Sequence, residues 1–320
     1  MPRLALEPAD YPFFDYRRFT FSLGIAAGGS IWLSGSTAVR FDAARKAMVV
    51  DGDLVAQARV ILDKMRITLA AGGLGLGDIV RVVQYVTPAA LADLPKLSAI
   101  LAEVFAGAAP VVTTIVVKRL LRSEALIEIE AHGGRSRVEH LPTATGADVR
   151  TAWARADELL AARGLERRHV VRALELFTPA AAEPAGRSDD DAGPVIRVVM
   201  PRVVDAEAGV QIELAASNGG NVLFVTAAGD PAAGDIVGQC REIYARIGTL
   251  LAAAGAGLDT VVKTTEFVTP AGLDDYRKTA DVRREVFAAP YPAATGVVCE
   301  GLMEPGADLA VEAIAVMEPR

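Results

Sequence analysis

LAAGGLGLGDIVRVVQYVTP, residues 69–88, is the stretch that decides the fold, because the chain repeats it twice. LAARGLERRHVVRALELFTP begins at residue 160 and LAAAGAGLDTVVKTTEFVTP begins at residue 251, so the copies start at a constant interval of 91 residues. The Leu-Ala-Ala start, one glycine (Gly73, Gly164, Gly255) and the Thr-Pro end all fall in register. A register kept over three copies indicates repeated structural units.

Each copy predicts a helix, a glycine turn and a strand. Before the glycine, apolar residues recur at helical spacing, as Ile61, Met65 and Leu69 do in the first copy. Glycine commonly ends a helix, because the position after the last turn usually needs φ > 0. The β-branched run that follows predicts a strand, which proline ends because it has no N–H for the ladder.

The first and third copies continue in register beyond the Thr-Pro end, and both also open with a strand-rich section. Each continuation predicts a second helix and two further strands. The predicted helices cover residues 90–105 and 272–287, and the predicted strands cover residues 111–117, 125–131, 295–300 and 308–316.

The middle copy is truncated. Its Thr-Pro end is followed by AAAEPAGRSDDDAGP, residues 180–194, whose Pro, Gly and Asp content predicts a loop in place of the second helix. Only a short Gly/Arg/Thr segment, residues 132–148, stands where the other copies have their opening strands. We therefore predict an α+β fold of three units, residues 1–134, 135–217 and 218–320, the middle one being degenerate.

The composition argues against several classes of function. The chain of 320 residues has a formal net charge of −7, so no overall basic field would attract nucleic acid. The two cysteines are far apart and the three histidines lack metal-ligand spacing, so neither a disulfide framework nor a metal site is expected. No apolar segment resembles a signal peptide or reaches membrane-spanning length, which makes a cytoplasmic protein without membrane contact the default expectation.

The order of these features resembles the RidA/YjgF family. The shared features are a hairpin, a Gln-x-Arg helix, an AAG turn, a strand ending in Thr-Pro, a helix ending in Phe, a Pro-x-x-Thr strand and a last strand that alternates apolar residues with Glu. The resemblance implies a chorismate-mutase-like fold and a homotrimer with ligand pockets in the clefts between neighbours. Three copies in one chain then imply a covalent pseudo-trimer, either monomeric or a small homo-oligomer. Two full copies that assemble with other chains are the competing arrangement.

The family's pockets are similar to a carboxylate clamp. An Arg two residues after the strand-opening Pro holds the substrate, and a Glu of the last strand activates water. In this chain the Arg position holds Val112 in the first copy and Ala294 in the third, while the Glu position holds Glu128 and Ala310. No full copy carries the complete pocket, although one cleft can draw on two copies.

A polar residue present in only one copy is a better site candidate than one shared by all three. Glu128, whose equivalents are Gln211 and Ala310, is the candidate catalytic residue, and a solvent-facing strand residue is the alternative interpretation. Arg197, displaced by about one residue from the family's Arg position, is the candidate clamp for an anionic ligand, with a strand-surface Arg as the alternative. The glutamates that share one position in all copies are predicted to be structural: Glu130, Glu213 and Glu312.

Gln211, Tyr16 and Cys299 complete the candidate substrate-binding residues. Gln211 occupies the position of Glu128 in the middle copy. Tyr16 stands near the N-terminal section, which in the family contributes an aromatic side chain to a neighbour's cleft, and packing is the alternative. Cys299 lies in the otherwise apolar strand Thr-Gly-Val-Val-Cys, where a buried Cys is common and no partner base is evident.

These features predict a divergent Rid-type enzyme, a deaminase or other hydrolase that acts on an imine, an enamine or a related carboxylated metabolite without a metal or organic cofactor. The segments FVTAA, GDIVGQC and PAATG of the third copy are also similar to chorismatases, which would imply cleavage of an enolpyruvyl ether. The Glu that a chorismatase uses aligns with Ala310. The missing pocket residues favour a third possibility, a non-catalytic ligand-binding or scaffold protein.

Overall fold

The computed structural model describes residues 3–134, 138–182 and 194–317. The α-helices in these ranges are α1 (Leu54–Ala71), α2 (Leu94–Val104), α3 (Val149–Ala161), α4 (Pro179–Ala182), α5 (Ile236–Ala253) and α6 (Thr279–Val286). The strands, in chain order, are β1 (Leu4–Ala5), β2 (Gly24–Ala27), β3 (Ser30–Leu33), β4 (Arg40–Asp42), β5 (Ala47–Val49), β6 (Ile79–Val86), β7 (Val111–Val116), β8 (Arg119–Leu120), β9 (Ile127–Gly134), β10 (Glu139–His140), β11 (Ala144–Gly146), β12 (Val170–Phe177), β13 (Val195–Val199), β14 (Val210–Ala216), β15 (Val222–Ala228), β16 (Val261–Val268), β17 (Ala293–Val298), β18 (Gly301–Leu302) and β19 (Leu309–Val316).

Three mixed sheets and one separate hairpin organise these strands. The first sheet has the order β1-β2-β3-β9-β6-β7, and the third has the order β15-β19-β16-β17-β8. The second has the order β10-β14-β12-β13-β18, with β11 also paired to β14, while β4 and β5 form the hairpin. One long helix packs on each sheet through its own apolar cluster: α1 on the first, α3 on the second and α5 on the third. The predicted mixed α+β fold is confirmed.

Helix boundaries follow from residues that satisfy the backbone. Asp53, Asp148 and Asp235 precede α1, α3 and α5, and each carboxylate accepts a hydrogen bond from a backbone N–H of the first turn. The glycines predicted to follow these helices all have positive φ, which confirms their turn role: Gly73 (70°), Gly164 (68°) and Gly255 (77°).

The central strands of the three sheets share one register. β6, β12 and β16 each pair antiparallel with the last long strand of their sheet (β9, β14 and β19) and parallel with β7, β13 and β17. Each antiparallel ladder has its irregularity at the same place, between Ile79 and Arg81, between Val170 and Arg172, and between Val261 and Lys263. The repeat seen in the sequence is therefore kept in strand pairing.

Three details differ from the sequence-based expectations. The second helices are shorter, because a 3₁₀ segment leads into each: Pro88–Asp93 before α2 and Tyr276–Lys278 before α6. The segment expected to lack opening strands contains β10 and β11, both paired with β14. Residues 180–182 are helical in α4, and residues 183–193 of the predicted loop lie outside the described residues.

Short strands join the three sheets. β8, which follows β7 of the first sheet in the chain, pairs with the edge of β17, and β18, which follows β17, pairs with the edge of β13, so two of the three junctions have a shared strand. A central apolar cluster contains side chains from all three, among them Val83, Leu174 and Phe267. The clefts between sheets therefore lie beside the strand that pairs parallel with the central strand of each sheet, namely β7, β13 or β17.

Candidate functional site

A pocket of about 370 Å³ opens in the cleft between β13 and β15, here called the Arg197 cleft. Strand β13 of the second sheet contributes Arg197, and β15 of the third sheet contributes Thr226. Asp230 comes from the segment after β15, and Arg246 comes from α5. Glu304, from the turn between β18 and β19, completes the charged lining. The pocket thus has two guanidinium groups and two carboxylates, a lining suited to a small polar anion or zwitterion.

A buried carboxylate positions Arg197. Its Nε lies 2.8 Å from Glu175 Oε2, and Glu175 also accepts a 2.7 Å hydrogen bond from Trp153 Nε1 on α3. Glu175 is fully buried, whereas the Arg197 side chain is 19% exposed. The guanidinium is therefore anchored on its inner side and reaches the pocket from a fixed position.

Arg246 enters the same pocket from α5. Its Nη1 donates a 3.0 Å hydrogen bond to the carbonyl oxygen of Ala228, a residue of β15 that also lines the pocket. Thr226 bridges the two sides, since its hydroxyl donates to the carbonyl oxygen of Val195 at 3.4 Å. Ala310 pairs with Ala228 in the β15–β19 ladder and is buried. The strand position that holds Glu128 in the first sheet therefore has no ionisable group beside this pocket.

Glu128 lies in a different cleft, between β9 and β17, here called the Glu128 cleft. Its side chain is only 6% exposed, so the solvent-facing interpretation is wrong. Gly35 packs so tightly here that a Cβ would collide with Glu128 Oε1 and lie 2.8 Å from Thr295 Oγ1. Burial raises the pKa of Glu128 to about 8, with the positive charge of Lys263 opposing that rise and Glu130 adding to it. At neutral pH this carboxyl is protonated and could donate a proton rather than accept one.

The glutamates shared by all copies form buried ion pairs between sheets. Lys263 Nζ lies 2.8 Å from Glu130, and Arg172 Nε lies 2.6 Å from Glu312. Arg81 Nη2 lies 3.8 Å from Glu213. Each pair joins a cation on the central strand of one sheet to a glutamate of another, which fits the predicted structural role of the glutamates.

Sequence reasoning missed the basic partners of these pairs, although a signal was present. Arg81, Arg172 and Lys263 also recur at the 91-residue interval, each two residues after the start of its central strand. Opposite charges kept at two fixed repeat positions indicate mutual pairing.

The remaining candidates have buried positions. Gln211 donates hydrogen bonds to the Thr114 carbonyl oxygen (2.9 Å) and to Glu213 (2.8 Å), and accepts one from the Val204 N–H, so its amide joins the first and second sheets. Tyr16 is buried beside the ring of Tyr11.

Cys299 lies in the central apolar cluster. Its thiol donates to the Val268 carbonyl oxygen at 3.3 Å, and burial raises its pKa to about 12. Such a thiol is a poor nucleophile at neutral pH, because the thiolate is the reactive form.

The structure does not bring Arg197 and Glu128 together, so they cannot act on one ligand as the sequence had suggested. The position of Arg197 also needs correction. Val195 pairs with Ala173 as Val112 pairs with Val82, so Val195 occupies the family's Arg position. Arg197 is displaced by two residues, which keeps it on the same face of the strand.

The described ranges contain neither a cluster of metal-ligating side chains nor a membrane-spanning helix. Within residues 3–134, 138–182 and 194–317, no group of three or more His, Cys, Asp or Glu side chains could hold a metal ion. In the same ranges, every helix is too short or too polar to cross a bilayer.

Comparison with known proteins identifies the relatives of this chain. A RutC family protein of Pyrococcus horikoshii is 30% identical over 111 residues, which are 35% of this chain and 83% of that protein. A 2-iminobutanoate/2-iminopropanoate deaminase of Capra hircus is 32% identical over 93 residues, which are 29% of this chain and 66% of that protein. The solved structure of a YjgF/YER057c/UK114 family member from Mycobacterium tuberculosis is 24% identical, with a TM-score of 0.34, over 42% of this chain and all of that one.

None of these relatives is a chorismatase, and the chorismatase alternative has no support.

The family profile described as endoribonuclease L-PSP matches residues 17–133 and 210–317, which together make up more than half of the chain. These two separate matches confirm the resemblance to the RidA/YjgF family inferred from the motifs: the chain belongs to the endoribonuclease L-PSP family.

Proposed function

We propose that this protein is a Rid-type enzyme that hydrolyses a small carboxylated imine or enamine in the Arg197 cleft. The observation that carries the proposal is the pocket of about 370 Å³ lined by Arg197 and Arg246. The deaminase of Capra hircus named above gives the reaction class additional support. A carboxylate paired with a guanidinium leaves the neighbouring carbon free for attack by water.

The proposed reaction requires two functions of the pocket, which are to bind the substrate carboxylate and to position a water molecule. Arg197 and Arg246 would hold the substrate carboxylate, and Glu304 would orient a water molecule towards the imine carbon. Water adds to the C=N bond, its protons pass to nitrogen, and ammonia leaves to give the keto acid. The anchoring of Arg197 by Glu175 would keep the carboxylate in one place during both steps.

Ligand binding without catalysis is the second candidate function. The specific observation in its favour is Ala310, which pairs with Ala228 of the pocket lining and occupies the strand position where the first sheet has Glu128. A pocket that retains its guanidinium groups and lacks the strand carboxylate could bind a carboxylate without turning it over.

We also propose that the chain is a single-chain pseudo-trimer of YjgF-like units, with the boundaries predicted above. Support comes from the common register of the three central strands and from the strands shared at two of the three junctions. The three clefts would then be unequal, and only the Arg197 cleft would be a substrate site.

The test measures ammonia and keto acid released from 2-iminopropanoate or 2-iminobutanoate generated in situ, above the uncatalysed rate. Arg246→Gln should lower kcat/KM about 10- to 100-fold, because a charge-assisted hydrogen bond is lost. Arg241→Gln is a matched control, because Arg241 lies on the same helix with a side chain 54% exposed, against 55% for Arg246.

Three outcomes distinguish the candidates. Turnover that is lost in Arg246→Gln and kept in Arg241→Gln supports the proposed enzyme. Absence of turnover, combined with carboxylate binding that Arg246→Gln weakens, supports the binding protein. Turnover that survives Arg246→Gln and Arg197→Lys but is lost in Glu128→Gln would move the chemistry to the Glu128 cleft and refute the assignment.

A further inference from the structure

A buried polar cluster outside the Arg197 cleft consists of Arg81, His132, His140 and Arg172, on β6, β9, β10 and β12. None of these residues is more than 6% exposed. Five of their nitrogen atoms are buried and have no hydrogen-bond partner in the described part of the chain: Arg81 Nε, His132 Nδ1 and Nε2, His140 Nε2 and Arg172 Nη1. A buried donor left unpaired destabilises a fold by about 1–3 kcal/mol. Five such atoms in one cluster point to a bound partner.

Contacts between the side chains define which atoms are donors. The His132 and His140 rings are 5.3 Å apart, and Arg81 Nη1 lies 3.1 Å from His140 Nδ1. A guanidinium only donates, so His140 Nδ1 accepts and the proton of the neutral ring is on Nε2. Burial, followed by the charge of Arg81, lowers the pKa of His140 well below its ordinary value and keeps the ring neutral. The unpartnered His140 Nε2 is therefore an N–H donor, as are Arg81 Nε and Arg172 Nη1.

Charges of both signs surround the cluster: Arg81, Arg172 and Lys263 are positive, Glu130, Glu213 and Glu312 are negative, and Glu130 Oε1 lies 3.7 Å from His132 Nε2. Burial lowers the pKa of His132 well below its ordinary value, and the charges of Arg81, Lys263 and Arg172 lower it further. The charge of Arg172 also lowers the pKa of Arg81, after burial, so the two guanidinium groups repel each other. Arg172 has a close carboxylate partner, whereas Arg81 is 3.8 Å from its nearest one, Glu213.

We propose that this cluster binds a small monovalent anion of the chloride type, held by Arg81 Nε, Arg172 Nη1 and His140 Nε2. An anion accepts hydrogen bonds and donates none, which matches a cluster with at least four free N–H donors. A water molecule would also have to donate, and among this cluster's buried atoms without a partner in the described ranges, the one acceptor is the unprotonated nitrogen of His132. Negative charge between the two guanidinium groups also removes their repulsion. Because all four side chains are buried, the bound ion would have to be small.

Crystals of the full chain soaked in sodium bromide provide the direct test. We expect an anomalous bromide peak within hydrogen-bonding distance of Arg81 Nε and His140 Nε2. Density for water alone at this position, without an anomalous peak, would overturn the proposal. This measurement uses the unmodified protein, so it does not depend on whether a variant folds.

Thermal unfolding in solution is the second test, with sodium chloride compared with sodium gluconate at equal ionic strength. At ten times the Kd, chloride should raise the Tm by about 2–3 °C. His140→Leu should abolish this chloride effect, and His169→Leu, at the third histidine of the chain, should keep it. Equal Tm values in the two salts, or an undiminished chloride effect in His140→Leu, would contradict the site.

Discussion

Glu128→Gln should stabilise the protein at neutral pH and leave its stability almost unchanged in acid. Burial raises the pKa of Glu128 from an ordinary value of 4.5 to about 8. Between these two values the folded protein keeps a proton that the unfolded chain releases. The stability that this proton contributes is therefore present in full below pH 4.5 and is lost as the pH rises towards 8.

The magnitude follows from the width of this window. Each pH unit in which only the folded state holds the proton is worth about 1.4 kcal/mol. From pH 4.5 to pH 7 the folded state thus loses about 3 kcal/mol relative to the unfolded chain. Glutamine has a similar shape and does not titrate, so the variant avoids this loss.

Urea unfolding of both proteins at pH 4.5, 5.5, 7 and 8.5 measures the effect. The free energies of unfolding should agree within about 1 kcal/mol at pH 4.5 and differ by about 3 kcal/mol in favour of the variant at pH 7. Glu103→Gln, at an exposed position on α2, is the control and should show no such divergence. A difference that stays constant with pH, or one that favours the wild type as the pH rises, would refute a protonated Glu128.

Three further substitutions test other buried contacts. Burial lowers the pKa of Lys64 to about 7, so between pH 7 and 10.5 the unfolded chain holds a proton that the folded protein lacks. The free energy of unfolding should therefore rise with pH over that range. Lys64→Met should remove this rise in the urea midpoint, and a midpoint that still rises equally with pH in the variant would contradict the prediction. Gly35→Ala should lower stability by about 1–3 kcal/mol through its collision with Glu128, and Glu128→Ala in the same chain should restore part of the loss; equal loss in both would argue against the collision. Arg172→Met leaves the Glu312 carboxylate buried and unpaired, so the free energy of unfolding should fall by about 3–5 kcal/mol, and a loss below 1 kcal/mol would show that Glu312 finds another partner.

The fold could be predicted from the sequence because its signals are local and repeated. A helix, a positive-φ glycine and a strand ended by proline each depend on neighbouring residues, and the 91-residue interval shows which segments correspond. The shortened second helices were harder to predict, because the buried Tyr276 of the 3₁₀ segment Tyr276–Lys278 continues the three-residue spacing of the buried Thr279 and Val282 in α6. Strands β10 and β11 were missed because they are two and three residues long and exist only through pairing with β14.

The candidate site could be predicted only in part, because clefts form between sheets and sequence spacing does not show which sheets meet. Glu128 and Arg197 each stand out as unique to one copy, and the sequence alone allowed them to share a cleft. The structure separates them, since Glu128 faces Thr295 while Arg197 faces Thr226. The pocket contribution of Arg246 had no sequence signal, because an arginine on an exposed helix face is common.

The ion-pair positions keep their charge in every copy, whereas the Glu128 position does not, and the free-energy change on substitution explains this difference. At the ion-pair positions, a change to an apolar residue in one partner strands a buried charge, which destabilises a fold by about 3–5 kcal/mol, so both partners stay charged in every sheet. At the cleft position, Glu128 carries a buried proton at neutral pH, and its replacement by the neutral Gln211 or Ala310 removes a titration penalty rather than a partner. Drift at the cleft position is therefore stabilising or neutral, and only catalysis would oppose it. On this reasoning, a stabilising Glu128→Gln with undiminished turnover would mean that Glu128 persists without a catalytic reason, and the unequal clefts would reflect relaxed constraint rather than specialisation.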